Sequence, residues 1–259
     1  MIGIGRDSST LAEGKIHRMF QKEVNAQSPL RILEKSTRGG LGPGKLGVVM
    51  ADPGVGKTAC LVQIALGDLL RGSKVLHIAL GSSIDEVRLW YDVLFRDLAE
   101  LHKLKDREKV YDSITKLRLI QTYPSDTLEA TRLNRTAQIF HENLGFTPKC
   151  IIVDGYDWHA PRDDTRLAIE ALKAIAIRFE AEVWMSACTK RDEHDPRPIE
   201  IPPTCAKYLD LIDVALMLEP CGSHVGISLL KDHDHDAPRQ DMALKLRCDT
   251  MRLEVATPA

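Results

Sequence analysis

The 259-residue chain predicts an α/β protein: a mainly parallel sheet flanked by helices, extended at its C-terminal end by antiparallel hairpins. Three observations predict it. Apolar runs of strand length alternate with helix-patterned stretches from Leu46 to about Ala187, the order that puts helices on both faces of a parallel sheet. One of those runs, Cys150-Ile151-Ile152-Val153, is continuously apolar, as a strand buried on both faces is. From Asp213 onward the helical patterns stop and short strand-like segments follow one another.

Residues 1 to about 45 are less regular and read as an N-terminal arm and lead-in, with a short helix expected from Lys15 to Ala26 and a glycine-rich approach from Arg38 to Gly44. Residues 46–259 are expected to form the principal domain. Leu46-Gly47-Val48-Val49-Met50 is its first strand, and a helix to about Leu70 follows the octapeptide Ala51 to Thr58. Lys74 to Leu80 is a second strand, entered through Arg71-Gly72-Ser73. In the next helix Ile84, Val87, Tyr91, Leu94, Leu98 and Leu101 recur at three- and four-residue steps; Ser83 stands at its N-cap, with Asp85 and Glu86 in the first turn. Lys116 to Ile120 is a third strand, Ser125 to Leu144 a helix, Cys150 to Asp154 a strand, Asp163 to Glu180 a helix and Glu182 to Ala187 a strand. The closing strands are Asp213 to Leu218, Val225 to Lys231, Met242 to Arg247 and Arg252 to Val255.

Composition narrows the function. Lys and Arg number 35 against 37 Asp and Glu, a formal charge of −2, so no global basic field calls for nucleic acid. No apolar run approaches the roughly 20 residues that span a bilayer, and the N-terminus lacks a long apolar signal stretch, so a cytoplasmic protein without a membrane partner is expected. The six cysteines carry no C-x-x-C pair and read as reduced, mostly buried thiols, neither a zinc site nor a disulfide framework.

The octapeptide Ala51-Asp52-Pro53-Gly54-Val55-Gly56-Lys57-Thr58 lies between a strand and a helix. A nucleoside triphosphate needs a nest of backbone N–H groups, a cation near its terminal phosphates and a hydroxyl on Mg²⁺, and this segment supplies all three. Gly54 and Gly56 let the backbone approach the phosphates, Lys57 reaches the terminal ones, Thr58 ligates the metal, and Ala59 opens a helix whose positive end faces the same point. Asp52, Pro53 and Val55 complete the loop. The pattern normally opens on Gly; Ala51 serves while its φ stays negative. Asp154 closes its strand where a second carboxylate would hold Mg²⁺ directly or through water, with Asp157 a poorer alternative past the turn.

At these residues the chain resembles the RecA-like P-loop ATPases, and within them the KaiC and DnaB-type branch, from about Ser28 to the C-terminus. The lead-in Gly39 to Leu46, the phosphate loop, the Asp154 strand, the strand Val183 to Ala187 and Leu229-Leu230-Lys231 carry the likeness. It implies a RecA-like ATP-binding domain over residues 46–259, with ATP or ADP and Mg²⁺ bound. It also implies a homo-oligomer, usually a hexameric ring, in which Lys231 reaches a neighbour's nucleotide. Two departures bear on catalysis. Where the family has a water-orienting Glu after the second strand, this chain reads Leu80-Gly81-Ser82-Ser83; where it often has Arg two residues beyond the trans-acting Lys, here stands His233. Asp85 and Glu86 are the nearby substitutes. The expected function is therefore a slow ATPase acting in nucleotide-dependent regulation or assembly. The alternatives are a non-hydrolysing nucleotide-binding regulator or scaffold, a DNA-linked motor or recombination mediator, and a small-molecule kinase.

Other segments stay open. Lys231 to Asp236 offers imidazoles and carboxylates, yet strand alternation puts only His233 and His235 on one face, as a solvated hairpin tip would. The loop Thr189 to Pro198 balances acid against base without aromatic stacking residues, so nucleic acid is not a favoured partner. Trp90, Tyr91 and Phe95 read as core or interface, while Trp158 and His159 line either the site or a subunit seam.

Overall fold

In the computed structural model, residues 28–104, 106–125, 128–158, 165–189, 201–233 and 240–256 are described. The helix expected from Lys15 to Ala26, and most of the loop after Thr189, lie outside them. Among the described residues one sheet of nine strands runs in the order β3-β2-β4-β5-β1-β6-β7-β8-β9. The strands are β1 (Leu46–Ala51), β2 (Val75–Leu80), β3 (Arg118–Tyr123), β4 (Cys150–Asp154), β5 (Glu182–Cys188), β6 (Val214–Cys221), β7 (His224–Asp232), β8 (Gln240–Arg247) and β9 (Leu253–Val255). β3 through β6 in that spatial order pair parallel, and β6 through β9 pair antiparallel. A mainly parallel sheet with an antiparallel hairpin extension is thus the observed architecture.

Helices cover both faces. α1 (Leu30–Ser36), α2 (Lys57–Leu70), α3 (Ile84–Leu101) and α4 (Arg107–Lys116) contribute to one core; α5 (Ala130–Leu144) and α6 (Thr165–Phe179) close the other, beside the single turn α7 (Pro203–Ala206). β1 is buried at all six positions because cores lie on both its sides. Its Gly47 lies opposite Trp184 of β5, and a Cβ there would come within 2.5 Å of the indole, so glycine admits the large ring.

Strand ends shift by a few residues, most in β3, which runs Arg118–Tyr123 where Lys116 to Ile120 was expected, and three helices depart from the sequence expectation. α5 begins at Ala130, not Ser125, because Glu129 is still extended and Leu128 is buried as an anchor ahead of the helix. α4 escapes a periodicity reading because it buries only Val110 and Ile114 in an otherwise charged ten-residue segment. α1 falls within the stretch read as lead-in, yet Leu33 and Leu41 belong to the first core. Of the cysteines Cys60, Cys150 and Cys205 are buried, Cys188 is half-buried, and Cys221 and Cys248 are exposed; all are free thiols.

Candidate functional site

β1 and β4 deliver two loops to the carboxyl end of the sheet. Ala51 is the last residue of β1, fully buried and without a positive φ, so the non-glycine opening of the loop is accommodated. Gly54 takes φ +79° and Gly56 φ +119°, conformations that a side chain would strain. Gly56 is the N-cap of α2 and brings no side chain to the free N–H groups of the first turn, which stay available to an anion. Asp52 pairs with the Thr189 hydroxyl while Thr189 N–H donates to the Ala51 carbonyl at 3.0 Å, tying the loop to the end of β5. Ala59 is buried within α2.

Lys57 Nζ donates to the carbonyls of Ala51 and Asp52, each at 2.9 Å, so its ammonium bridges the loop's start. Burial pulls Lys57 below the ordinary lysine range, opposed by Cys188, Asp154 and Asp52 beside it. Thr58 Oγ1 donates to Asp154 Oδ2 at 2.6 Å. Two residues 96 positions apart in sequence thus meet at one point. Asp157, the poorer alternative, is not part of that contact.

The turn after Asp154 is fixed by packing. Gly155 has φ +81°, and a Cβ on it would lie 2.3 Å from the Leu80 carbonyl oxygen. Its N–H donates to Ser186 Oγ at 2.8 Å, and the buried Trp158 donates from Nε1 to the Ser186 carbonyl at 2.8 Å. Trp158 packs against Tyr156 and Tyr208 in the second core, which resolves the open reading of this tryptophan; His159 lies outside the described residues.

α3 forms the opposite wall. Ser83 caps it in a reciprocal box: Glu86 N–H donates to Ser83 Oγ at 3.2 Å, while Ser83 N–H and hydroxyl donate to Glu86 Oε2 at 2.7 and 2.9 Å. Those bonds, the backbone one first, hold the exposed Glu86 carboxyl below its ordinary range. A cavity of about 440 Å³ opens between the walls, lined by Thr58, Asp154, Ser82, Glu86 and the apolar Leu89 and Trp90 among others. Glu86 therefore shares the site, whereas Asp85 faces Arg88. Tyr91 and Phe95 go to the core, and the half-buried Trp90 packs against that core while also lining the site wall, a second placement that the sequence reading did not give. Its signal was the three-residue step from Val87, on the face just past the N-cap. Gly81, in the stretch Leu80 to Ser83 that follows β2 without a carboxylate, has φ +75°.

No family model matches the chain. A DnaB-like replicative helicase of Enterobacteria phage T4 is 29% identical over 222 residues, covering 76% of this chain and 46% of that protein. The chain spans less than half the length of that curated relative. The likeness supports the RecA-like P-loop superfamily as the setting of a nucleotide-binding protein.

Lys231 lies elsewhere. β7 runs against β6, so Lys231 pairs with Ala215 and Asp232 with Val214, near the start of β6 and the amino end of the parallel strands. Its ammonium donates to the Leu209 carbonyl at 2.6 Å and to that of Ile212. His233 donates from Nε2 to the Leu41 carbonyl at 3.2 Å, and its Nδ1 lies 2.8 Å from Asp232 Oδ1. His235 and the flanking aspartates lie outside the described residues. No described helix is long and apolar enough to cross a membrane.

Proposed function

We propose that the chain is a RecA-like ATPase of the KaiC/DnaB type that binds Mg·ATP and works slowly, as a nucleotide-dependent regulatory or assembly protein. The observation that carries the reading is the Thr58 to Asp154 contact of 2.6 Å beside Lys57 at the N-terminus of α2. A hydroxyl and a carboxylate are hard oxygen donors suited to Mg²⁺. Thr58 and Asp154 would hold the ion, which when bound neutralises charge on the phosphates. The N–H groups of Gly54 to Ala59 cradle the phosphates, and Lys57 moves from its loop carbonyls to the terminal ones. Glu86, held at one oxygen by Ser83, orients a water for attack on the γ-phosphorus. The bond to the β-phosphate oxygen breaks, the water's proton leaves with phosphate or to solvent, and ADP remains.

Slowness follows from Glu86 being a carboxylate anchored by its own helix cap, with a lowered pKa that makes it a weak base. The absence of a carboxylate from Leu80 to Ser83 favours a second reading, a regulator that binds without hydrolysing. The likeness to a replicative helicase favours a third, a DNA-linked motor.

The test is phosphate release from Mg·ATP by wild type, Lys57→Ala and Glu86→Gln, with nucleotide binding and molecular mass measured on the same samples. Lys57→Ala is expected to lower turnover at least ~10²-fold with loss of binding. Glu86→Gln is expected to keep binding and lower turnover about 10²-fold. Tight binding without turnover in wild type makes the second reading correct; stimulation by single-stranded DNA makes the third correct. A homo-oligomer formed only with Mg·ATP would support assembly, and Lys231→Ala then tests whether that residue acts on a neighbour.

A further inference from the structure

The amino end of the same sheet holds a second polar cluster, built independently of the nucleotide reading. Cys150 and Glu182 are the first residues of β4 and β5 and face each other in register. Asp68 comes from the last turn of α2, which packs across both strands. Cys150 Sγ and one carboxylate oxygen each of Asp68 and Glu182 lie within 4.8 Å of one another. Asp68 is 8% exposed. Its Oδ1 accepts from Arg71 at 2.8 Å, but its solvent-inaccessible Oδ2 has no hydrogen-bond partner among the described residues.

Ionising all three acids beside the carboxyl end of α2 would be electrostatically costly, because that end of the macrodipole is negative. Arg71 offsets part of the charge, but it is shared with Glu34 at 2.9 Å. A neighbouring group at the same sheet end shows full compensation: Asp213 receives Lys173 at 2.9 Å, Lys45 at 3.2 Å and the Leu46 N–H at 2.8 Å. There burial pushes the carboxyl up, and these partners outweigh it and hold it low. At the cysteine cluster the balance runs the other way. Burial first, then Asp68, pushes Glu182 up to about 8; burial, Asp68 and Glu182 push the Cys150 thiol well up.

We propose that Cys150, Asp68 and Glu182 form a binding site for a divalent cation of the zinc class. One thiolate with two carboxylates suits such an ion, and contracting the cluster to the roughly 3.6 Å separation of tetrahedral ligands needs only side-chain adjustment. The outer partners that orient ligands are already in place: Trp184 Nε1 donates to Glu182 Oε1 at 3.0 Å, and Arg71 holds Asp68. A cavity of about 280 Å³, lined by Gly39 to Gly42, Arg71, Glu182 and Trp184 among others, opens onto the Glu182 side of the cluster, with room for a water as fourth ligand. Binding forms one metal–sulfur and two metal–oxygen bonds, displaces water from the aquo ion, and releases the Cys150 and Glu182 protons to solvent.

The experiment uses the full chain, metal-free and without nucleotide, with the exposed Cys221 and Cys248 changed to Ser. Titration with Zn²⁺ should show one equivalent bound with about two protons released near pH 7, and Co²⁺ should give a thiolate charge-transfer band. X-ray absorption of the zinc form should show one sulfur at about 2.3 Å among oxygens near 2.0 Å. Glu182→Gln and Cys150→Ser should each weaken Zn²⁺ at least ~100-fold. Failure to bind Zn²⁺, a shell without sulfur, or an affinity indifferent to Glu182→Gln overturns the site. The zinc edge is read with Cys150, Asp68 and Glu182 all native, so it tests the site even if Cys150→Ser does not fold.

Discussion

Helix α2 ends in two chemically opposite places. Its N-terminus meets the glycine loop, where Gly54 and Gly56 leave N–H groups free, Lys57 adds a positive charge and the arrangement favours an anion. Its C-terminus meets Asp68, Cys150 and Glu182, where acids outnumber the cation and the arrangement favours a metal ion. One rigid helix of 14 residues thus presents complementary charge preferences at the two ends of the sheet. The difference lies in the donors: hydroxyl and carboxylate oxygen at the first, thiol and carboxylate at the second.

The largest expected effect separates the ends by pH. His77, in β2 and hydrogen-bonded to Tyr91 at 3.0 Å, is pulled down to about 4 by burial, against the attraction of Asp154 and with Arg118 adding to the fall. Its folded pKa is below the unfolded 6.5, so stability is present above pH 6.5 and is lost as pH falls toward 4, about 3 kcal/mol in full. Glu182 has the opposite sign. Its folded pKa of about 8 exceeds the unfolded 4.5, so stability is present below pH 4.5 and is lost as pH rises through 8, about 5 kcal/mol in full. Urea unfolding across this range should trace a dome. His77→Gln should flatten its acid limb and Glu182→Gln its alkaline limb; a dome unchanged by Glu182→Gln would remove the buried acid from the comparison. Zn²⁺ should also flatten the alkaline limb, by displacing the proton.

Next in size is Gly155→Ala. The added Cβ would lie 2.3 Å from the Leu80 carbonyl at φ +81°, so β2 and β4 must shift apart at their carboxyl ends. A cost of about 3 kcal/mol is expected in urea unfolding. Asp154 moves with the turn, so Mg·ATP affinity should fall while Zn²⁺ affinity at the other end holds. Equal losses of both would mean that the two ends are not independent.

The sequence made one end far more legible than the other. The glycines, lysine and threonine of the loop are contiguous, and Asp154 closes a conspicuous apolar strand, so local pattern sufficed to single out residues that meet at the first end. Asp68, Cys150 and Glu182 are dispersed over more than a hundred residues and converge only through strand register and helix packing, which no spacing rule reports. The cysteine reading gave free thiols, as found, but looking for paired thiols it carried no signal that the fold brings one thiol beside two carboxylates. Trp90's place in the cavity wall was not read because periodicity assigns a helix face to the core without saying where that face runs past the sheet edge. α4 and α1 were missed because short helices with one or two buried positions carry almost no period.

Gln63 offers the smallest effect and the finest test of how the ends communicate. It sits in the middle of α2, buried, and clasps the C-terminal hairpin: Nε2 donates to the Met251 carbonyl at 2.9 Å and to its own helix at Ala59, while Leu253 N–H donates to Oε1 at 2.6 Å. Leucine at this position fits the apolar surroundings but leaves a buried carbonyl and a buried N–H of the hairpin unpaired, a cost of about 2 kcal/mol. The consequence should be one-sided. Met251 and Leu246 are the side chains that a Cβ on Gly56 would touch, at 3.4 and 3.1 Å, so the hairpin buttresses the glycine loop. Loosening it in Gln63→Leu should weaken Mg·ATP several-fold and leave Zn²⁺ binding at the Asp68 end unchanged, both read by calorimetry. If nucleotide binding were equally untouched, the hairpin would be a cover for the core alone, and the loop's glycine geometry would owe nothing to the antiparallel extension.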